Sequence, residues 1–261
     1  MDVQVKSAVR VLQVLDYFDA IERAATVNEI ARALGAPMSS TSILLRQMQQ
    51  TGYLDRDSRR RYTLSIRVAT LGRWSAPFLD PDGPVLRLMH ELRRATSEFI
   101  ILGAMRGDMV RYIYTLPSVR RTSVRNRTGT ALPVATSCVG RMFMAGMSEH
   151  EVRRLVFQHN RKVGPERQIG LPSVLSHLGE TRLRGYARSP EVITTDTSGL
   201  AIRLPEHIGP EPLVLAIGSV PPTIHRHCQE WAKLMIESLD GVFRSAGDSS
   251  AGWRRSIHRT S

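Results

Sequence analysis

Residues 26–64, TVNEIARALGAPMSSTSILLRQMQQTGYLDRDSRRRYTL, decide the fold of the N-terminal part of the chain. Thr26-Val27-Asn28-Glu29 has the form of a capping box, a hydroxyl for one free helix amide and a glutamate three residues on reaching back. Ile30, Ala31 and Leu34 then recur at helical spacing, and Gly35 stops the helix. Ala36-Pro37-Met38 is a turn in which Pro37 suits the start of a second helix, with Ser39, Ser40 and Ser42 close behind. Thr41, Leu44, Leu45 and Met48 share one face of that helix; Ser42, Ile43, Arg46 and Gln49 share the other. Gly52-Tyr53-Leu54 enters a strand, residues 55–61 form a polar hairpin tip, and Tyr62-Thr63-Leu64 returns. Helix, turn, helix and basic hairpin predict a winged helix-turn-helix, whose second helix fits a major groove and whose wing reaches phosphate or the minor groove.

The charge agrees. The 261 residues carry 36 Lys and Arg against 24 Asp and Glu, a formal net charge of +12, and an excess of cations favours polyanions through counterion release. Arg56, Arg59, Arg60, Arg61 and Arg67 crowd the wing and its return, where a reader of double-stranded DNA needs charge. Arg120, Arg121, Arg125 and Arg127 lie far from it and read as a solvated face or an oligomer contact. The two cysteines, Cys138 and Cys228, read as free thiols in a reducing compartment. The first residues lack the regions of a signal peptide, and no apolar run reaches the length of a membrane span, so a cytoplasmic protein without a membrane partner is expected.

Outward from the reader, Val5, Ala8, Val11, Leu12, Leu15 and Phe18 mark a first amphipathic helix ending near Ala20. Residues 75–84 hold Pro77, Asp80, Pro81, Asp82, Gly83 and Pro84, a linker composition. Val85, Leu86, Leu88, Met89 and Leu92 restart a helix. Apolar runs at 99–105, 109–116, 200–204 and 213–220 predict strands of an antiparallel sheet. Helices fit at 138–147, 149–157, 172–184 and 225–245. The mixed order predicts an α+β chain with a DNA-binding domain at 1–74, a linker and linker helix at 75–95, and an effector-binding and oligomerisation domain at 96–245. A disordered basic tail is expected at 246–261.

Two blocks of sequence, in order, resemble the IclR family of bacterial transcription regulators over residues 5–245. The first is Gly35-Ala36-Pro37-Met38-Ser39-Ser40, Leu44-Leu45, Gly52-Tyr53-Leu54 and Arg61-Tyr62-Thr63-Leu64. The second is Gly129-Thr130-Ala131-Leu132-Pro133 with Gly140-Arg141, similar to the family's Gly-x-Arg-x-Pro-Leu-His segment and following Gly-Lys, and then Gly185-Tyr186-Ala187. The resemblance implies a GAF-like or profilin-like sheet in the second half, a pocket for a small-molecule effector, and a homodimer or dimer of dimers on a palindromic operator. Ligand in one half then changes operator binding by the other, which is a coupling free energy between two sites.

The resemblance and the exposed faces together name the candidate residues. For DNA they are Thr26, Pro37, Ser39, Ser40, Ser42, Ile43, Arg46, Arg56, Arg59, Arg60 and Arg61; for the effector, Cys138, Val139, Ser198, Gly199, Ile217, Gly218 and Ser219. Several positions depart from the family pattern. Ile43 stands where arginine is common and Met38 where lysine is, Gly199 where a cysteine is frequent, and Gly218 and Val220 where serines are. Pro133-Val134-Ala135 replaces Pro-Leu-His. A closed site short of hydrogen-bonding groups leaves a small carboxylate poorly paired, so a larger or less polar effector is expected. The first helix and the helix at 85–92 are expected to contribute oligomer contacts, because their apolar stripes exceed what one small winged helix covers.

Catalytic readings have little to stand on. Ser137, Ser198 and Ser219 lie in no nucleophile-elbow motif, and there is no glycine-rich phosphate loop. His225-Arg226-His227-Cys228 reads as a basic helix start rather than a metal site, and Cys138 as a small buried apolar residue. No catalytic residue, metal or cofactor is expected. The alternatives are a winged-helix head on an enzymatic domain, or an architectural module that binds DNA without base preference; the first lacks converging acids and bases in 85–245, and the second leaves the long second domain idle.

Overall fold

The computed structural model describes residues 5–71, 77–119, 127–189 and 197–244. The linker expected around 75–76, the arginines at 120, 121 and 125, and the tail at 246–261 lie outside the described residues. The chain divides into two compact units, Met1–Ala76 and Pro77–Ser261.

The first unit contains α1 (Lys6–Ile21), α2 (Val27–Ala33), α3 (Met38–Gln50), β1 (Leu54–Arg56), β2 (Tyr62–Leu64) and α4 (Ile66–Leu71). Its core is small: Val14 and Phe18 of α1, Ala25, Ile30 of α2, Leu45 and Met48 of α3, Leu54 and Tyr62. Both turns around α3 are closed by left-handed glycines. Gly35 (φ 57°) follows α2, where the Ala36 amide donates to the Ala31 carbonyl at 3.0 Å. Gly52 (φ 79°) follows α3, where Tyr53 donates to Met48 at 2.8 Å. The hairpin pairs Leu54 with Leu64 and Arg56 with Tyr62. Tyr62 also exchanges backbone hydrogen bonds with Ala25, which ties the wing to the entry of α2. The wing therefore leaves the three-helix core at a fixed root while its tip stays exposed.

The second unit contains α5 (Pro84–Thr96), β3 (Phe99–Arg106), β4 (Met109–Leu116), β5 (Ala131–Pro133), α6 (Cys138–Met144), α7 (Glu149–Asn160), α8 (Leu171–Arg184), β6 (Ala187–Arg188), β7 (Ser198–Arg203), β8 (Leu213–Ser219) and α9 (Pro221–Arg244). The strands form one antiparallel sheet in the order β5-β4-β3-β8-β7-β6. Alternate residues feed two separate cores. Ile100, Leu102, Leu200, Ile202, Leu215 and Ile217 pack with α5 and α9. Phe99, Ile101, Ala201, Val214 and Ala216 pack with α6, α7 and α8. A sheet covered on both faces has no polar face, and all seven residues of β8 are buried.

Four expectations need correction. The helix at 138–147 ends at Met144, and the final helix begins at Pro221 rather than near His225. Pro221 and Pro222 occupy its first turn, where missing amides cost nothing. The strands β5 and β6 were not anticipated; two or three residues carry no usable alternation. The apolar stripe of the linker helix does not require a second copy of the chain, because Val85, Leu86, Leu88, Met89 and Leu92 are spent in the unit's own core. At the N-cap of α1 and on the helix itself, by contrast, Val5 and Leu12 are exposed.

Candidate DNA interface and effector site

The reading helix α3 buries Thr41, Leu45 and Met48 against the core. Ser39, Ile43, Arg46 and Gln50 follow one another at spacings of four, three and four along the opposite face, and all four are exposed. Ser42 is half-buried on the flank of this ridge. The hydroxyls of Ser40 and Thr41 both donate to the Pro37 carbonyl at 3.0 Å, so Ser40 is turned back on its own helix. Pro37 is the N-cap of α3 and supplies no side-chain cap. Thr26 lies elsewhere, as the N-cap of α2: its hydroxyl accepts from the Glu29 amide, and the Glu29 carboxylate accepts from the Thr26 amide and hydroxyl at 2.8 and 2.9 Å. These hydrogen bonds, the backbone one foremost, with Arg23 beside them, hold the Glu29 carboxyl down to about 2. The capping box is thus fully formed, and it occupies Thr26 in holding the helix rather than a ligand.

The wing sorts its arginines by environment. Arg61 is clamped by Asp57, whose carboxylate accepts from the Arg61 amide and Nε at 2.8 Å each and is held below the usual range mainly by that backbone hydrogen bond. Arg56 lies over the Tyr62 ring at 5.3 Å. Arg67, on α4, lies over Tyr53 at 4.9 Å and donates to the Thr51 carbonyl. Arg59 and Arg60 form no ion pair with the described residues and are exposed at the tip. Arg60 has φ 60°, the left-handed region that a glycine would enter at lower cost. The chain thus keeps a cation where backbone energy favours glycine.

In the second unit the sheet divides the expected effector residues. Cys138 and Val139 open α6, capped by Ser137, whose Oγ accepts from the Gly140 amide at 2.9 Å. Cys138 faces Gly199 so closely that a Cβ on Gly199 would stand 2.8 Å from its Sγ. Gly218, paired with Gly199, opens toward the same side, where a Cβ would meet Ile101 and Phe99. Ser198 and Ser219 pair with each other one residue further along their strands, and share the opposite face with Ile217, on the α5 and α9 side. Ile217 reaches Gly199 only through its carbonyl oxygen. The seven residues therefore do not line one site: Cys138 stands with Gly199 and Gly218, Val139 on the same side of the sheet meets Gly103, and Ser198, Ile217 and Ser219 lie behind the sheet. Ser219 Oγ is fully buried with no hydrogen-bond partner among the described residues.

Two further residues stand beside Cys138, of which the sequence marks Arg141 but not Ser189. Ser189 stands at the same place, its Oγ 3.7 Å from where a Cβ on Gly199 would lie. Arg141, three residues on along α6, is buried and donates from Nη1 to the Arg188 carbonyl at 3.1 Å. Arg141 is marked by its helical spacing from Cys138 and by the Gly140-Arg141 pair; Ser189 has no sequence signal. Burial pushes the thiol's pKa up, with Ser189 and Arg141 partly opposing it, so Cys138 is a poor nucleophile at neutral pH. The His225-to-Cys228 run is accounted for locally: His227 stacks on Trp231 at 5.0 Å and pairs with Glu230. Among the described residues no His, Cys, Asp or Glu group is placed to hold a metal ion, and no helix is long and apolar enough to cross a membrane.

A helix-turn-helix with an arginine-tipped hairpin, followed in the chain by a second compact α+β unit, is the architecture of a DNA-binding regulator with a sensory domain. Residues 7–58 match the IclR helix-turn-helix domain, and residues 85–241 match the bacterial transcriptional regulator IclR C-terminal domain. The chain is 26% identical over 190 residues to the HTH-type transcriptional regulator XynR of Escherichia coli, covering 72% of this chain and 75% of that protein. It is similar in fold to the Thermotoga maritima IclR, with a TM-score of 0.71 at 16% identity, covering 94% of this chain and 100% of that one. It is also similar to an IclR homolog from Microbacterium hydrocarbonoxydans complexed with 4-hydroxybenzoate, with a TM-score of 0.66 at 20% identity over 92% of this chain and 99% of that one. The chain belongs to the IclR family: it is a DNA-binding transcriptional regulator with a C-terminal effector domain, in a family that is not enzymatic.

Proposed function

We propose that the protein binds a palindromic operator as a homo-oligomer through Ser39, Ser42, Ile43 and Arg46 in the major groove and Arg59 and Arg60 on the backbone, and releases or engages it in response to an acid with an apolar body. The observation that carries the operator reading is the exposed ridge of α3 standing beside a wing tip whose two arginines pair with no described carboxylate. Exposed Val5, at the N-cap of α1, and exposed Leu12, on that helix, support a contact between copies, which a two-fold operator requires. The test is selection of DNA by the full-length protein. The recovered sequences are expected to hold two inverted half-sites, and Arg59→Ala with Arg60→Ala is expected to weaken all sequences alike and flatten the salt dependence by about one unit per lost phosphate contact. Unselected DNA, or an unchanged salt slope, refutes the reading.

The effector reading rests on Cys138, Gly199 and Gly218, which offer mostly apolar contact, with the buried Arg141 three residues on from Cys138, whose guanidinium has donors beyond the one given to Arg188. Apolar burial then supplies most of the affinity, at about 25 cal/mol per Å², and one cation fixes an anionic end. Measured by anisotropy of the selected operator, aromatic acids such as 4-hydroxybenzoate are expected to shift affinity roughly ten-fold. A response to glyoxylate or pyruvate alone would show the site to be built for small acids.

A further inference from the structure

We propose that Ile43 reads the C5-methyl group of a thymine, one per half-site, and so sets the base preference at the centre of the recognition ridge; this rests on the operator reading above. Ile43 is 61% exposed, and the fold gives no reason for it. The core side of α3 is filled by Thr41, Leu45 and Met48, and Ile43 lies across the helix from them. A β-branched side chain also loses rotamer freedom in a helix, so a solvent-facing position ordinarily takes alanine or a straight-chain polar residue. Here it sits between Ser39 and Arg46 on the ridge that the helix-turn-helix turns outward.

The chemistry of the side chain narrows what it meets. Isoleucine neither donates nor accepts a hydrogen bond, so it holds no phosphate and pairs with no base edge. The major groove presents one apolar group, the thymine methyl, and apolar side chains are its natural partners. Ser39 and Arg46, four residues before and three after, retain hydroxyl and guanidinium groups for the flanking base edges or phosphates. Met38, 57% exposed in the first turn, lies off this ridge and is not part of the proposal.

The test is a cycle between one methyl group in DNA and one side chain in protein. Each thymine of the selected operator is replaced in turn by deoxyuridine, which removes the C5-methyl and leaves the hydrogen-bonding edge intact. Binding is measured with the full-length wild type, with Ile43→Ala, and with Ile43→Val. At one thymine of each half-site, loss of the methyl is expected to weaken the wild type about four-fold, the effect of burying one methyl-sized group. Ile43→Ala should show no loss at that position, and Ile43→Val an intermediate one. Because the side chain is exposed, the variants are expected to melt with the wild type, which is checked alongside. Equal deuridine penalties in wild type and Ile43→Ala at every position overturn the proposal. So does a change in the sedimentation of DNA-free protein by Ile43→Ala without methyl coupling, which assigns the residue to a contact between copies. The Arg59→Ala, Arg60→Ala variant separates the two layers of inference. If it loses affinity while the methyl cycle is flat, the head still binds DNA and only the role of Ile43 fails; if it too binds unchanged, the operator reading itself fails.

Discussion

Gly140→Ala is expected to destabilise the effector unit by about 3 kcal/mol or more, at the upper end of what overpacking costs. An ideal Cβ at Gly140 would stand 1.9 Å from the carbonyl oxygen of Val134, 2.6 Å from its carbonyl carbon and 2.7 Å from its Cα. All three are backbone atoms, so no rotamer change relieves the contact. They belong to the short 3-10 turn Val134–Thr136, which lies against the first turn of α6. Either that turn or α6 must move, and both are buried: Val134 and Val139 are 0% exposed. In thermal unfolding the transition of the second unit should fall by about 10 °C, given the usual shift per kcal/mol for a domain of this size. Gly179→Ala is the control. Gly179 is also helical, within α8, but nothing lies within 4 Å of its ideal Cβ. Alanine there is expected to be neutral or to stabilise by about 0.5–1 kcal/mol. A Gly140 variant as stable as wild type, or equal damage from both changes, would refute the close approach of turn and helix.

The same two glycines show what sequence can and cannot convey. Both read as glycines in helical segments, and only the position of a neighbouring backbone separates them. The reader was legible because its signals are local. The capping box, the glycine stops and the two-sided face of α3 lie within a few residues; Thr41, Leu45 and Met48 are buried and Ile43, Arg46 and Gln49 exposed as expected, while Leu44 and Ser42, at the borders of the two faces, are half-buried. The strands β3, β4, β7 and β8 were legible as apolar runs. Which face of the sheet each residue joins was not. Both faces are buried, so no polar alternation marks the sides, and a one-residue step carries a side chain through the sheet. That is why Ser198 and Ser219, adjacent in sequence to Gly199 and Gly218, fall behind it. The wing fails differently. Charge counting finds its arginines, but only the fold shows that Asp57 holds Arg61 while Arg59 and Arg60 project from the tip.

The space above Gly199 is filled by the Cys138 sulfur, and a double-mutant cycle measures the competition for it. Gly199→Ala places a Cβ 2.8 Å from Cys138 Sγ and 2.9 Å from the Ile217 carbonyl oxygen, both closer than real Cβ atoms approach. Cys138 is buried on α6, so its sulfur has little room to yield. Gly199→Ala alone is expected to cost about 2–3 kcal/mol. Cys138→Ala alone should cost about 1 kcal/mol, from the lost burial of one sulfur-sized group and the void it leaves. Together they should cost less than their sum, by about 1–2 kcal/mol, because removing the sulfur relieves the nearer contact and leaves only the carbonyl. Urea unfolding of the four proteins gives the coupling. Strict additivity would mean that the thiol does not fill the position a side chain at 199 would take. With the expected coupling, the two residues divide one volume between a helix and a strand. On the effector reading proposed above, a ligand at Gly199 and Gly218 would pack against the sulfur, and changes at positions 138 and 199 would alter its fit without touching the residues of the reading head.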